Sequence, residues 1–187
     1  MSLRIISGRF KGRALQAPKT SSTRPTQGML REAVFNICQG DIENARFLDP
    51  FAGSGAMGFE ALSRGASKIT LIEPNREALS SIKANISSLE VANQTTLIPL
   101  PAKKALGKLV KQSEKFNVIY LDPPYDLHIE SIFELVSQVL EKDGVLFLEE
   151  RYDPKQPNKA HQIPNLVLKN TRRFGIALLS TFIKSSM

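Results

Sequence analysis

The run Leu48-Asp49-Pro50-Phe51-Ala52-Gly53-Ser54-Gly55-Ala56-Met57-Gly58 leaves the chain few ways to fold around it. Arg46, Phe47 and Leu48 read as the end of a short strand, and Met57 to Arg64 read as a helix. The glycines between them make a tight turn where a ligand can approach the backbone closely. Asp49 then falls at the carboxyl end of the strand, where open α/β sheets bind their ligands.

Gly53, Gly55 and Gly58 spell G-x-G-x-x-G, and Glu73 lies 20 residues beyond Gly53, where an acidic residue meets ribose hydroxyls. Two details speak against a dinucleotide. Asp49 to Ala52 separate the glycines from the strand, and Asp49 puts a carboxylate where a pyrophosphate would have to settle. An ammonium and a sulfonium would instead be attracted there. S-adenosylmethionine carries both, with a ribose for Glu73. Without a ligand the run would be a bare glycine turn. The strand, turn, helix and acidic residue together favour a nucleoside cofactor.

Strand and helix patterns alternate from this point. Strands are expected at 46–49, 68–73, 95–99, 116–121 and 144–149, and helices at 56–64, 75–90, 102–112 and 129–141. Such alternation implies an α/β fold, a parallel sheet with right-handed crossovers. Strand 116–121 is nearly all apolar, as a central parallel strand should be. The tail breaks the rhythm with two strands, 166–170 and 176–183, which fit a closing antiparallel hairpin. Ahead of the alternating part, Thr26 reads as an N-cap of a helix whose apolar stripe is Met29, Leu30, Ala33, Val34 and Ile37, with Arg31 and Glu32 off the stripe.

A second motif, Asp122-Pro123-Pro124-Tyr125, follows the central strand directly. The two prolines remove two backbone donors and leave a stiff turn that offers only carbonyl oxygens, to which Asp122 adds a carboxylate. An exocyclic amino group needs such acceptors, because its lone pair is delocalised into the base and its two protons must be held. Accepting those protons orients the nitrogen and stabilises the positive charge that develops on it. Tyr125 can stack on the base. Alternatively, the tetrapeptide is only a strand-ending turn with Asp122 as a local cap.

Charge adds a partner class. Residues 1–31 hold Arg4, Arg9, Lys11, Arg13, Lys19, Arg24 and Arg31 with no acid. Residues 151–187 hold Arg151, Lys155, Lys159, Lys169, Arg172, Arg173 and Lys184 against Asp153 alone. Such flanks suggest a polyanionic partner, although a solvated basic face reads the same way. Residues 3–15 look like two short strands around Gly8 and Gly12, presenting Arg9, Lys11 and Arg13 with Phe10 interleaved. Cations beside a ring suit looped RNA, while Phe10 could equally anchor the hairpin to the main domain. Cys38, beside Phe35 and Ile37, reads as core, and with only His128 and His161 besides, a structural zinc site lacks its usual ligands. No apolar run approaches the ~20 residues that span a bilayer, and the N-terminus shows no leader pattern. The expectation is a cytoplasmic protein without a metal.

With both motifs in place, the sequence resembles class I methyltransferases carrying D-P-P-Y. More closely it resembles the RsmD-like family, which methylates the exocyclic N2 of a guanine in small-subunit ribosomal RNA. The matching segments are Arg4 to Gly8 with Gly12-Arg13, Arg24-Pro25-Thr26 with Arg31 to Asn36, Asp49 to Ala66, Glu73, Asp122 to Tyr125 and Phe174-Gly175. The resemblance implies a single Rossmann-like domain over 23–187, with a mostly parallel seven-stranded sheet, preceded by a basic β-hairpin and linker over 1–22. It implies S-adenosylmethionine at Asp49, Phe51, Gly53, Gly55, Glu73 and the Ala102 position. It implies guanine held by Asp122, Pro123 and Tyr125, and RNA met by Arg9, Lys11, Arg13, Arg24 and Arg31. The partner is then small-subunit ribosomal RNA within the assembling subunit, with no membrane and no metal. One departure stands out. An acidic residue usually precedes the alanine and contacts the adenine amino group, whereas here the pair is Pro101-Ala102.

Other activities remain open on the residues alone. D-P-P-Y also serves adenine and cytosine methylation of DNA, against which the chain shows no separate target-recognition domain. Glutamine methylation of a protein usually has Asn in place of Asp122. An NAD oxidoreductase and a non-catalytic RNA-binding assembly factor complete the set.

Overall fold

The computed structural model describes residues 3–18, 25–124, 127–155 and 161–184, with only the backbone given for 25–27. The alternating pattern is present. After α1 (Pro25–Ile37) the chain runs β1 (Arg46–Asp49), α2 (Ala56–Ser63), β2 (Lys68–Ile72), α3 (Arg76–Leu89) and β3 (Thr95–Ile98). It continues through α4 (Ala102–Lys111), β4 (Phe116–Leu121), α5 (Glu130–Val139) and β5 (Leu140–Arg151) to the hairpin β6 (Leu166–Phe174) and β7 (Ala177–Lys184). One seven-stranded sheet results, in the order β3-β2-β1-β4-β5-β7-β6. The first five strands are parallel, and β7 lies antiparallel between β5 and β6.

Alternation along each strand gives the sheet two buried faces. Phe47, Ile69, Leu71, Val118 and Phe147 face a core shared with α1, α2 and α3. Leu48, Ile72, Ile119, Leu121, Leu146 and Leu148 face a core shared with α4 and α5. Both faces are covered, as a parallel sheet requires. Gly58 lets α2 lie close on β2, since a Cβ there would come within 2.5 Å of the Leu71 side chain.

α1 is turned relative to the expected stripe. Leu30, Arg31, Val34, Phe35 and Cys38 are the buried face, while Met29 is 63% exposed. The cause is Glu60 in α2, fully buried and in need of cations. Arg64 Nε donates to its carboxylate at 2.8 Å and Arg31 Nε lies 3.6 Å away.

Glu60 also organises the N-terminal segment. Its carboxylate accepts from the backbone N–H groups of Ile6 (2.8 Å) and Ser7 (3.0 Å). The segment turns back on itself with Leu15 N–H donating to Leu3 C=O and Ile5 N–H to Arg13 C=O, around one antiparallel bridge, Arg4 with Ala14. So the two expected strands reduce to a hairpin-like loop, because the donors of Ile6 and Ser7 are spent on Glu60. Gly8, at φ +80°, passes so close to α2 that a Cβ would come within 1.8 Å of the Ser63 carbonyl. Ile5 and Leu15 join the core beside α1 and α2. Residues 19–24, which hold most of the expected linker and Arg24, lie outside the described residues, as does the side chain of Thr26.

Candidate active site

Strand order reverses at β1. β2 lies on one side of it and β4 on the other, so the carboxyl ends of β1 and β4 flank a crevice of the kind that binds ligands in open α/β sheets. Four carboxylates converge on this edge. Asp49 ends β1, Glu73 follows β2, Asp122 follows β4, and Glu149 sits near the end of β5.

The glycine turn is fixed from two directions. Ala52 N–H donates to Ile72 C=O at 3.0 Å, extending the β1–β2 pairing, and Gly55 N–H closes back on Ala52 C=O at 2.7 Å. Gly53 and Gly55 have φ of +52° and +78°, and Gly55 is the residue from which α2 starts. A Cβ on Gly55 would strike Phe59 at 2.7 Å, whereas a Cβ on Gly53 would meet nothing within 4 Å. Gly55 is therefore required by packing, and Gly53 borders open space where a ligand can lie against the backbone. Asn85 of α3 ties the turn down by donating to Ser54 C=O at 3.3 Å.

Glu73 is nearly buried, and each of its oxygens accepts a backbone N–H, from Gly53 and from Asn75, both at 2.8 Å. It joins the glycine turn to the start of α3. Each oxygen accepts along two lone pairs, so both can still take a ribose hydroxyl. Phe51 is half-buried against the α4–α5 core. Ala102 begins α4 after Pro101, with no side-chain cap on that helix start.

Asp49 is 2% exposed and accepts one N–H, from Phe51 at 3.1 Å. Burial pushes its carboxyl up to about 8, against the Phe51 hydrogen bond and with added repulsion from Asp122, Glu73 and Glu149. Asp122 keeps a side open to solvent, yet burial of the rest of its carboxyl, with the Glu149 carboxylate nearby, pushes it up to about 7. Its openness lets water screen part of that effect. Burial raises Glu149 too, against a hydrogen bond from the Tyr120 hydroxyl. A cation placed at this edge favours the ionised form of these carboxyl groups and lowers their proton affinity.

At the second motif, Pro123 is buried and Pro124 C=O is taken by Leu127 N–H at 3.0 Å. Among the described residues, the Asp122 carboxylate and the Pro123 carbonyl are the acceptors at the turn without such a donor. Tyr125, expected to stack on the base, lies outside the described residues.

Glu149 and Tyr120 escaped the sequence reading. Leu121 and Leu148 are partners in the register, so the next positions, Asp122 and Glu149, stand side by side. The signal was present: an acidic residue closes the apolar strand 144–149 just as Asp49 closes β1. Cys38 is fully buried, and burial pushes its thiol up to about 12, which suits core and not a nucleophile.

The residues expected to meet RNA are placed unevenly. Arg31 is 7% exposed, paired with Glu60, and donates to Arg4 C=O at 2.7 Å, so it holds the N-terminal segment and does not face solvent. Arg9 donates to Gln94 and lies over the Phe10 ring, and Arg13 donates to Ser88 C=O. Ser88 closes α3 and Gln94 precedes β3, which puts Arg9, Arg13 and the exposed Lys11 between them at the amino edge of the sheet, opposite the carboxylates. Phe10 packs on the core and its N–H donates to Ser63 Oγ at 2.9 Å. Arg24 lies outside the described residues.

Comparison with known proteins agrees with this architecture. A family model described as "conserved hypothetical protein 95" matches residues 3–183. A protein of Bacillus subtilis (strain 168) named "Putative rRNA methyltransferase YlbH" is 32% identical over 185 residues, 97% of this chain and 99% of that protein. The "Ribosomal RNA small subunit methyltransferase D" of Escherichia coli (strain K12) is 35% identical over 144 residues, 77% of this chain and 69% of that one. A solved structure titled "Putative methyltransferase yhhF from Escherichia coli" superposes with a TM-score of 0.84 over 100% of both chains at 26% identity. Among the described residues no helix is long and apolar enough to cross a membrane.

Proposed function

This chain belongs to the conserved hypothetical protein 95 family of RsmD-like methyltransferases, and from that premise we propose that it methylates the exocyclic N2 of a guanine in small-subunit ribosomal RNA, using S-adenosylmethionine, within the assembling subunit. The observation that carries the reading is the pairing at one edge of two acidic devices: the buried Asp49 beside an open glycine turn, and the Asp122-Pro123 acceptors across the β1–β4 crevice.

The residues fit such a cofactor. A buried carboxyl at about 8 with a single hydrogen bond among the described residues has capacity for a positive group, and Gly53 leaves room beside it. Asp49, Phe51, Gly53, Gly55, Glu73 and the start of α4 at Ala102 would hold it; when bound, it supplies an electrophilic methyl group. Pro101 offers no side-chain contact for an adenine amino group, so recognition at that place falls to backbone.

The work of the chain is on the nucleophile. Asp122 and the Pro123 carbonyl accept hydrogen bonds from the two amino N–H groups, which fixes the nitrogen and stabilises its developing positive charge. Ionised Asp122 is the acceptor this needs, and the proton lost from nitrogen can pass to it. Tyr125 would hold the base by stacking. No side chain need carry the methyl group, since the transfer is direct.

Asp122→Ala tests the assignment. Label from S-adenosylmethionine should enter small-subunit RNA with the unsubstituted protein and fall by at least ~100-fold with the variant, while cofactor affinity stays within about twofold. Equal loss of affinity and turnover would remove Asp122 from its assigned role. Label entering no RNA with the unsubstituted protein would overturn the function.

A further inference from the structure

RNA brought to this edge is repelled by whichever of its carboxyl groups are ionised, a repulsion that cations beside the edge offset. The basic N-terminal loop cannot supply them, because it sits at the amino edge. The sheet register identifies groups that can. Leu121 of β4 is level with Leu148 of β5, Glu149 of β5 with Leu179 of β7, and Leu179 with Arg172 of β6. Asp122, Glu149, Leu179 and Arg172 therefore share one row. Three strand spacings of ~4.8 Å put Arg172 about 14 Å from Asp122 along the sheet. Arg173, Phe174, Gly175 and Ile176 continue past that row, beyond the acidic edge.

The tip they form has the chemistry of an RNA contact. Arg172 and Arg173 are exposed, and Ile176 is 48% exposed. The Arg173 guanidinium lies 3.9 Å from the centre of the Tyr152 ring, and its Nε donates to Gly175 C=O at 2.8 Å. Tyr152 N–H in turn donates to Ile176 C=O at 2.8 Å, which ties the end of β5 to the hairpin turn. An arginine held over a ring is pre-organised, so less freedom is lost when it meets a phosphate. Lys169 is also exposed on β6, and no acid occurs from Leu166 to Lys184. Charge on an exposed edge strand can serve simply to block pairing with another chain. That role does not explain a cluster of one sign at the end nearest the site, with Val167 and Leu168 exposed at the other end.

We propose that the β6–β7 hairpin, with Tyr152, grips the single-stranded RNA that flanks the reacting nucleotide, Arg172 and Arg173 each taking a phosphate. The inference rests on RNA being the substrate. The test measures RNA binding against salt for full-length Arg172→Glu/Arg173→Glu and Arg172→Gln/Arg173→Gln proteins, with methyl transfer, cofactor affinity and melting temperature alongside. Lys108→Glu on α4 is the control, and Lys11→Glu at the amino edge probes the competing contact. We expect RNA affinity to fall at least tenfold and the log–log salt slope to shrink by about 1.4, that is ~0.7 for each of two phosphates. Cofactor affinity and melting temperature should not move, and the Lys108→Glu control should match the unsubstituted protein. An unchanged slope in the double variants, or the loss appearing in Lys11→Glu instead, would overturn the hairpin assignment. Methyl transfer to RNA by the unsubstituted protein is read separately, so a failure of the hairpin leaves the functional reading standing and is distinguishable from its failure.

Discussion

Asp49 should make cofactor binding expel a proton. Its carboxyl lies at about 8 in the folded protein because burial removes water, with the Phe51 N–H as its one hydrogen-bond partner among the described residues. At pH 7 such a group is about nine-tenths protonated. A cationic group seated against it favours the carboxylate, so binding should release about 0.9 proton at pH 7. The linked affinity should rise about tenfold per pH unit up to roughly pH 8 and flatten above it. Isothermal titration calorimetry at pH 7, in two buffers of different ionisation heat, reads the proton directly, and a titration series from pH 6 to 9 reads the slope. Asp49→Asn should abolish the release and flatten the series. Binding heats independent of buffer, with affinity level from pH 6 to 8, would show that Asp49 is already ionised, and the reasoning from its burial would fail.

The other predictions concern pH and packing. Because Asp49 is raised from 3.8 to about 8, the folded state holds its proton more tightly than the unfolded chain. Its contribution to stability is full below about pH 4 and lost as pH rises through 8, so the melting temperature without ligand should fall over pH 5–9, and less in Asp49→Asn. Burial raises Asp122 most and the Glu149 carboxylate adds to it, so Glu149→Gln should move the acid limb of the pH–rate profile part of the way to lower pH; an unmoved limb would contradict the coupling. Glu60→Ala strips Arg31, Arg64 and two backbone N–H groups of their partner in a buried place, which should cost ~3–5 kcal/mol in denaturant unfolding. Gly58→Ala should cost ~1–3 kcal/mol, because its Cβ meets Leu71 at 2.5 Å.

The parallel strands were legible because each is short, apolar and bounded by turn residues. β1 and β4 begin and end where the pattern puts them. Boundaries moved where pairing, and not side-chain pattern, decides. β5 starts at Leu140 because that residue pairs with Phe116, which ends α5 early. β6 runs on past the expected end at 170 through Arg172, Arg173 and Phe174, because they pair with Leu179, Leu178 and Ala177. The site was legible where chemistry and position coincide in sequence, as at Asp49 and Asp122. What a linear reading could not show is who meets whom. Arg31 looks like a surface cation until Glu60 is found beneath it, and Arg9 and Arg172 look equivalent until the sheet puts them at opposite edges.

The most direct measurement is nucleoside analysis of small-subunit RNA after transfer of a labelled methyl group from S-adenosylmethionine, using subunits that lack their native modifications. The account predicts that the label appears in N2-methylguanosine. Label in a methylated adenine or cytosine would contradict the guanine-N2 assignment while leaving the fold and the amino-group chemistry in place.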